Sequence, residues 1–174
     1  MQNRPIQLLL AIVFCHVASF TLHAQQHPKV TTVGPETVVV QGLDGKKISI
    51  GKAEIAKLKR VTAKAIDHGE EYMVEGVALS DVLALAGIEF GEKFRGKRLL
   101  EYLVVEAADG YQALYALAEL DPMITDKVVL LSDMRDGKPH PKEHGPWRII
   151  AIGEKRQARW VRQVSSLKVM TAAK

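Results

Sequence analysis

Cysteine occurs once in the 174 residues, at Cys15, inside a segment with the layout of a secretory signal peptide. Met1 to Ala24 carries one positive charge, Arg4, then an apolar run from Leu8 to Phe20 broken only by His16 and Ser19, then a short polar tail. Cleavage is expected after Ala24. Phe14 precedes the cysteine where a lipoprotein signal requires a small residue, so lipidation is not expected. Removing 24 of the 174 residues leaves 150 without a thiol, which excludes disulfides, thiolate nucleophiles and cysteine metal ligands from the mature chain. No second apolar run of spanning length follows, so the expectation is an exported chain, periplasmic or secreted, with no membrane span once mature.

Charge of one sign is also scarce. Lys and Arg number 24 against 20 Asp and Glu, a formal net charge of +4, too small to argue for a nucleic-acid partner. Basic residues matter here only where they converge. Serines lack the Gly-rich elbow of a hydrolase nucleophile: Ser80 looks like a helix cap, and Ser165 and Ser166 fall in the last strand. His140 and His144 are four apart, but Pro139, Pro141 and Gly145 forbid the helix that would give that spacing meaning for a metal. They read as exposed loop histidines.

What is present is a succession of short β patterns. "ETVVVQGLDGKKISI" places two β-branched runs around Asp44-Gly45, a hairpin signal. "GKAEIAKLKR" is short and helix-prone, and "VTAKAI" and "EYMVEG" flank an Asp67-His68-Gly69 turn. "ALSDVLALAGI" has Leu79, Val82, Leu83 and Ala86 at helical spacing, with Gly87 as its stop. "LLEYLVVEA" and "YQALYAL" pair across Asp109-Gly110. "KVVLLSD" and "WRIIAI" are strands separated by a loop from Met134 to Pro146, and "ARWVRQVSSLKV" closes the chain as a strand. The pattern specifies a strand-dominated α+β domain over residues 36–174, preceded by a polar leader, 25–35. Lys155, Arg156, Arg159 and Arg162, with Arg148, form the densest basic set. Strand alternation sets Arg159 on one face with Val161, and Arg162 on the other with Trp160. Such a set suits a phosphate or other oxyanion, or equally a charged, aggregation-resistant strand edge.

The segments "EGVALSDVLALAGI", "EAADGYQALYALAELDP" and "LLSDMRDGKPHPKEHGPWRIIAIGEKRQARWVRQVSSLKV" occur in an order that resembles the molybdopterin-binding domain of the sulfite oxidase family, over about residues 34 to 170. The resemblance implies a strand-rich single domain of that fold, with molybdopterin as the cofactor. It places Tyr111 beside the reacting metal. Arg148, after the "HG" of His144-Gly145, and the Arg159-Trp160 pair fall in the region that holds the pterin and its phosphate. Lys155 and His144 join that cofactor set.

The departure is in the metal ligand. Where the family carries a cysteine, this chain reads "VTAKAIDHGEEYMVEG", so Asp67 or His68 would have to serve as the oxygen or nitrogen ligand, with Asp67 counted beside Tyr111 in the catalytic set. Two readings follow. One is an exported oxidoreductase whose cofactor does the chemistry, working with a redox partner protein. The other is a non-catalytic module of the same fold that binds a small anion or a partner protein. Expression in a host with a general secretion pathway should yield a mature N-terminus at Gln25; an exported protein whose intact mass retains the first 24 residues contradicts the expected cleavage.

Overall fold

The computed structural model describes residues 34–172. The expected signal peptide and most of the polar leader lie outside the described residues. Strands β1 (Val38–Gln41) and β2 (Lys47–Ile50) form the expected hairpin. Gly45 takes φ 78° in its turn, and Asp44 Oδ1 accepts the Lys46 amide at 3.0 Å. Helix α1 (Lys52–Ile55) begins where the Glu54 carboxylate reaches back to the Gly51 amide at 2.9 Å, an acceptor for a donor that the first turn leaves open.

The Asp67-His68-Gly69 turn joins β3 (Arg60–Asp67) to β4 (Glu70–Ala78), and β4 runs directly into α2 (Leu79–Leu85). Helix α2 buries Leu79, Val82 and Leu83, the stripe that its spacing specified. Ser80 is not its cap: the helix starts one residue earlier, after Ala78, with no side-chain cap bond. Strands β5 (Glu101–Ala107) and β6 (Gln112–Ala116) follow as the second hairpin. Strand β7 (Val129–Arg135) extends further than expected, and β8 (Lys138–Pro139) folds back on it, so the supposed long loop begins with a tight turn. Then come β9 (Arg148–Ala151) and β10 (Val164–Thr171).

The final segment also departs from expectation. A short 3-10 helix, Gln157–Arg159, occupies the start of the supposed strand, and β10 begins only at Val164. The Trp160 indole Nε1–H donates to the Ala151 carbonyl at 3.0 Å, and Gln163 takes φ 48°. Anchoring Trp160 on β9 and reversing the backbone at Gln163 prevents a continuous ladder.

Two five-stranded sheets result. The first has order β2-β1-β10-β5-β6, with β1 parallel to β10; the second has order β3-β4-β7-β8, with β9 also on β7. Val38, Val40, Leu103, Val105 and Leu167 from the first sheet and Val74, Leu130, Leu131, Ile149 and Ile150 from the second belong to one buried apolar cluster. This is the strand-rich α+β domain with few helices that the pattern called for. Among the described residues no helix is long and apolar enough to cross a membrane.

The sheets' register depends on one close approach. A bulge between Glu75 and Gly76 shifts β4 against β7, and a Cβ at Gly76 would lie 2.4 Å from the Leu131 carbonyl oxygen and 2.7 Å from Ser132 Cα. Both neighbours are backbone and cannot swing aside. Gly76→Ala should therefore destabilise the domain by about 1–3 kcal/mol, the usual range for overpacking, measured as a lowered urea midpoint; an unchanged midpoint contradicts the approach.

Candidate functional site

Turns from both sheets converge on one cavity of about 370 Å³. The β3–β4 turn contributes Asp67 and His68, the β5–β6 turn Asp109 and Tyr111, the segment before β9 His144, β9 itself Arg148, and the segment before β10 Gln157, Trp160 and Arg162. Gln163 ties these pieces together. Its amide donates to the His144 carbonyl at 3.0 Å, its side-chain Nε2 to the Lys142 carbonyl at 2.9 Å, and its carbonyl accepts the Ala108 amide at 2.9 Å. The left-handed backbone there costs roughly 1–3 kcal/mol for a non-glycine residue, offset by these three bonds.

Arg148 is the buried cation of the site, only 4% exposed. Its Nη2 donates to Asp67 Oδ2 at 3.3 Å, and its guanidinium carbon sits 5.5 Å from the Trp160 ring centre. Nε and Nη1 are buried and have no hydrogen-bond partner among the described residues. One long bond to one carboxylate leaves this guanidinium short of acceptors, an expensive condition for a buried charge. His144 is half-buried nearby. Burial, then the positive fields of Arg148 and Arg162, hold its pKa below the ordinary histidine value. The arrangement favours an anion.

Most of the sequence-predicted residues come together here: Asp67, His68, Tyr111, His144, Arg148 and Trp160 all line the cavity. The Tyr111 hydroxyl, however, donates to the Ala158 carbonyl and so braces the 3-10 helix. His68 is almost wholly exposed, its side chain 93% accessible. Lys155 lines a neighbouring groove instead.

Arg159 points away. It bonds Glu119 Oε1 at 2.8 Å, Glu154, and the Leu114 carbonyl at 3.1 Å, and it stacks on Tyr115 with its guanidinium carbon 4.4 Å from the ring centre. Lys127 joins the same two carboxylates, at 2.6 and 3.2 Å. These acids neutralise Arg159 and engage both of its terminal nitrogens. Trp160 and Arg162 do share the cavity, but not through strand alternation, since both lie outside any strand and Arg162 falls in a bend after the 3-10 helix that holds Arg159. Gln157 and Asp109 carry no sequence signal of a site, whereas Arg162 belongs to the basic set that the sequence offers to an oxyanion.

His140 corrects a further expectation. It is 7% exposed, not a surface histidine. Its Nε2 lies 2.9 Å from Ser132 Oγ, and that hydroxyl donates to the Glu75 carbonyl at 2.7 Å. The serine proton is thus directed to backbone and the imidazole donates to the oxygen, which is the reverse of a nucleophile and its base. The pair pins the β8–β9 connection to β7, beside the bulge.

The donor set can be tested against the implied cofactor. An anionic group fits the positive charge that Arg148 and Arg162 bring to the lining. For a metal, the described residues hold no group of three or more His, Cys, Asp or Glu side chains able to bind one without ligands from a cofactor. Asp67 is already engaged by Arg148, and the chain's lone thiol lies outside the described residues.

No family model matches the chain, and no curated protein matches it. The fold itself is shared with solved structures: a strand-rich α+β domain of two sheets and few helices, of the kind the sulfite oxidase resemblance implied. The sulfane dehydrogenase SoxCD from Paracoccus pantotrophus matches with a TM-score of 0.62 over 79% of this chain, at 20% sequence identity. The match covers 39% of that chain, so the likeness is one of fold over a part of a longer protein.

The His140 site carries a pH dependence. Burial first, then the field of Arg148, push its pKa from 6.5 down to about 4. The folded value lies below the unfolded one, so protonation favours unfolding: the stability present above pH 6.5 is lost as pH falls towards 4, on the order of 3 kcal/mol in all. Urea titrations at pH 7 and pH 5 should show this loss, and His140→Gln, which keeps a donor to Ser132, should flatten it; an equal slope in both proteins contradicts the assignment.

Proposed function

We propose that the chain is an exported anion-binding module built on the fold of a molybdopterin-dependent oxidoreductase, and that its ligand is a small oxyanion or a phosphate monoester. The observation that carries this reading is Arg148, a guanidinium in the cavity wall whose nitrogens make one long side-chain bond, to Asp67, among the described residues. Each charge-assisted bond to such a nitrogen is worth about 1.5–3 kcal/mol. Arg162 supplies a second cation at the rim, and His144 a titratable donor between them. Export and a periplasmic or secreted location belong to the proposal. With no thiolate or acid cluster among the described residues to hold molybdenum, these residues bind and orient an anion, and no metal-centred step is assigned to them.

A second reading retains the molybdopterin-type cofactor as that anion. Trp160 and Tyr111 give the cavity two aromatic walls of the sort a flat heterocycle uses, and Arg148 would take its phosphate. The cofactor, when bound, would supply redox chemistry through its own metal; Asp67 would hold Arg148 in place, and Arg159 would contribute only by bracing the loop. Under this reading the exported protein, purified from a host that makes the cofactor, retains pterin fluorescence, and Arg148→Ala loses it.

Calorimetric titration with inorganic phosphate and with sulfite tests the first reading. Binding should weaken at least tenfold in Arg148→Ala and change little in Arg159→Ala, provided both variants remain folded by circular dichroism. An anion beside His144 favours its charged form, so its pKa should rise on binding and affinity should increase as pH falls through that range. Absence of saturable binding by either anion, or a His144 titration by NMR that the anion leaves unmoved, overturns the proposal.

A further inference from the structure

A second, larger groove of about 900 Å³ adjoins the cavity, walled on one side by β3 and on the other by residues 152–158. Strand β3 is an edge of its sheet, eight residues long, paired only with β4 and in unbroken register. The Ile66 carbonyl accepts a bond from Gln157 Nε2 at 2.8 Å, on the side away from β4. In an antiparallel pair the backbone groups of alternate residues face the same side, so the N–H and C=O of Lys64 and Thr62 also face the groove side. Among the described residues only the Ile66 carbonyl, at the strand's end, is covered there. A long edge with open donors and acceptors is a template for another strand.

The groove's charge and shape define what fits. Lys155 and Arg156 are exposed in its wall and form no ion pair among the described residues, whereas its one acid, Glu154, is neutralised by Arg159 and Lys127. Ile66 and Ile152 give it apolar patches, Ile66 being half exposed. A second copy of the chain is a poor occupant. Its own β3 would bring Arg60 and Lys64, with no acid before Asp67, to a groove that Lys155 and Arg156 already make basic.

We propose that the β3 edge and the 152–158 wall form a docking groove for an extended acidic segment of a partner protein, which adds to the sheet as a further strand. Its backbone pairs with Thr62 and Lys64, its acidic side chains meet Lys155 and Arg156, and its alternate apolar side chains contact Ile66 and Ile152. The groove shares His68, Gln157 and Trp160 with the anion cavity, so the docked segment lies beside that site.

The test uses the full exported chain and a fluorescein-labelled alternating peptide, VEVEVEV, with VKVKVKV as control. Anisotropy should show salt-sensitive binding of the acidic peptide alone, and hydrogen exchange should show the Thr62 and Lys64 amides becoming protected. The double substitution Lys155→Glu with Arg156→Glu should weaken binding at least tenfold, and Lys64→Pro, which removes an outward donor, should abolish the protection. Arg148→Ala should leave peptide binding intact, which separates this groove from the anion site. Equal binding of both peptides, binding without amide protection, or concentration-dependent self-association that shields the same amides would each overturn the proposal.

Discussion

A buried guanidinium with too few acceptors organises this molecule. Arg148 is fixed at the start of β9, one of the most buried strands, and can reach a single carboxylate, that of Asp67 across the β3–β4 turn. Burying a charge this way costs several kcal/mol unless the remaining donors find partners. The fold tolerates the cost because the surrounding apolar cluster is large and because the indole of Trp160 presents its face to the cation. The shortage of acceptors that burdens stability is the same feature that prepares the cavity for an anion.

The loops around Arg148 are held by side chains that take no part in binding. Arg159, Glu119, Glu154 and Lys127 form a closed charge network that fixes the 3-10 helix against β6. The Tyr111 and Tyr115 hydroxyls both donate to carbonyls of that same short helix. Burial pushes the Tyr115 phenol well above its usual range, so it stays a neutral donor. Networks of this kind are worth more as geometry than as energy. They set where Gln157, Trp160 and Arg162 stand.

The relation between fold and chemistry is correspondingly loose. A TM-score of 0.62 at 20% identity ties the chain to the architecture of a much longer sulfane dehydrogenase. Function rests on the site rather than the architecture, and among the described residues the site has no cysteine. What it keeps is positive charge, aromatic surface and an adjoining basic groove along an open strand edge.

The sequence by itself determined the two hairpins, the β3–β4 pair and α2, but not the course of residues 157–163. Alternation and turn chemistry located both hairpins and the β3–β4 pair, and helical spacing gave α2 its buried stripe, because these patterns answer to contacts within a few residues. It also brought Asp67, Tyr111, His144, Arg148 and Trp160 into one list, through the resemblance of their motifs. Tertiary structure alone decided which basic residues are available. Arg159 and Arg162 are three apart and chemically identical, yet one is neutralised by Glu119, forty residues upstream, and the other lines the cavity. His140 and His144 divide likewise, one sealed against Ser132 and the other opening on the site. A side chain's charge is written in the sequence, but its free valence depends on partners that only long-range folding supplies.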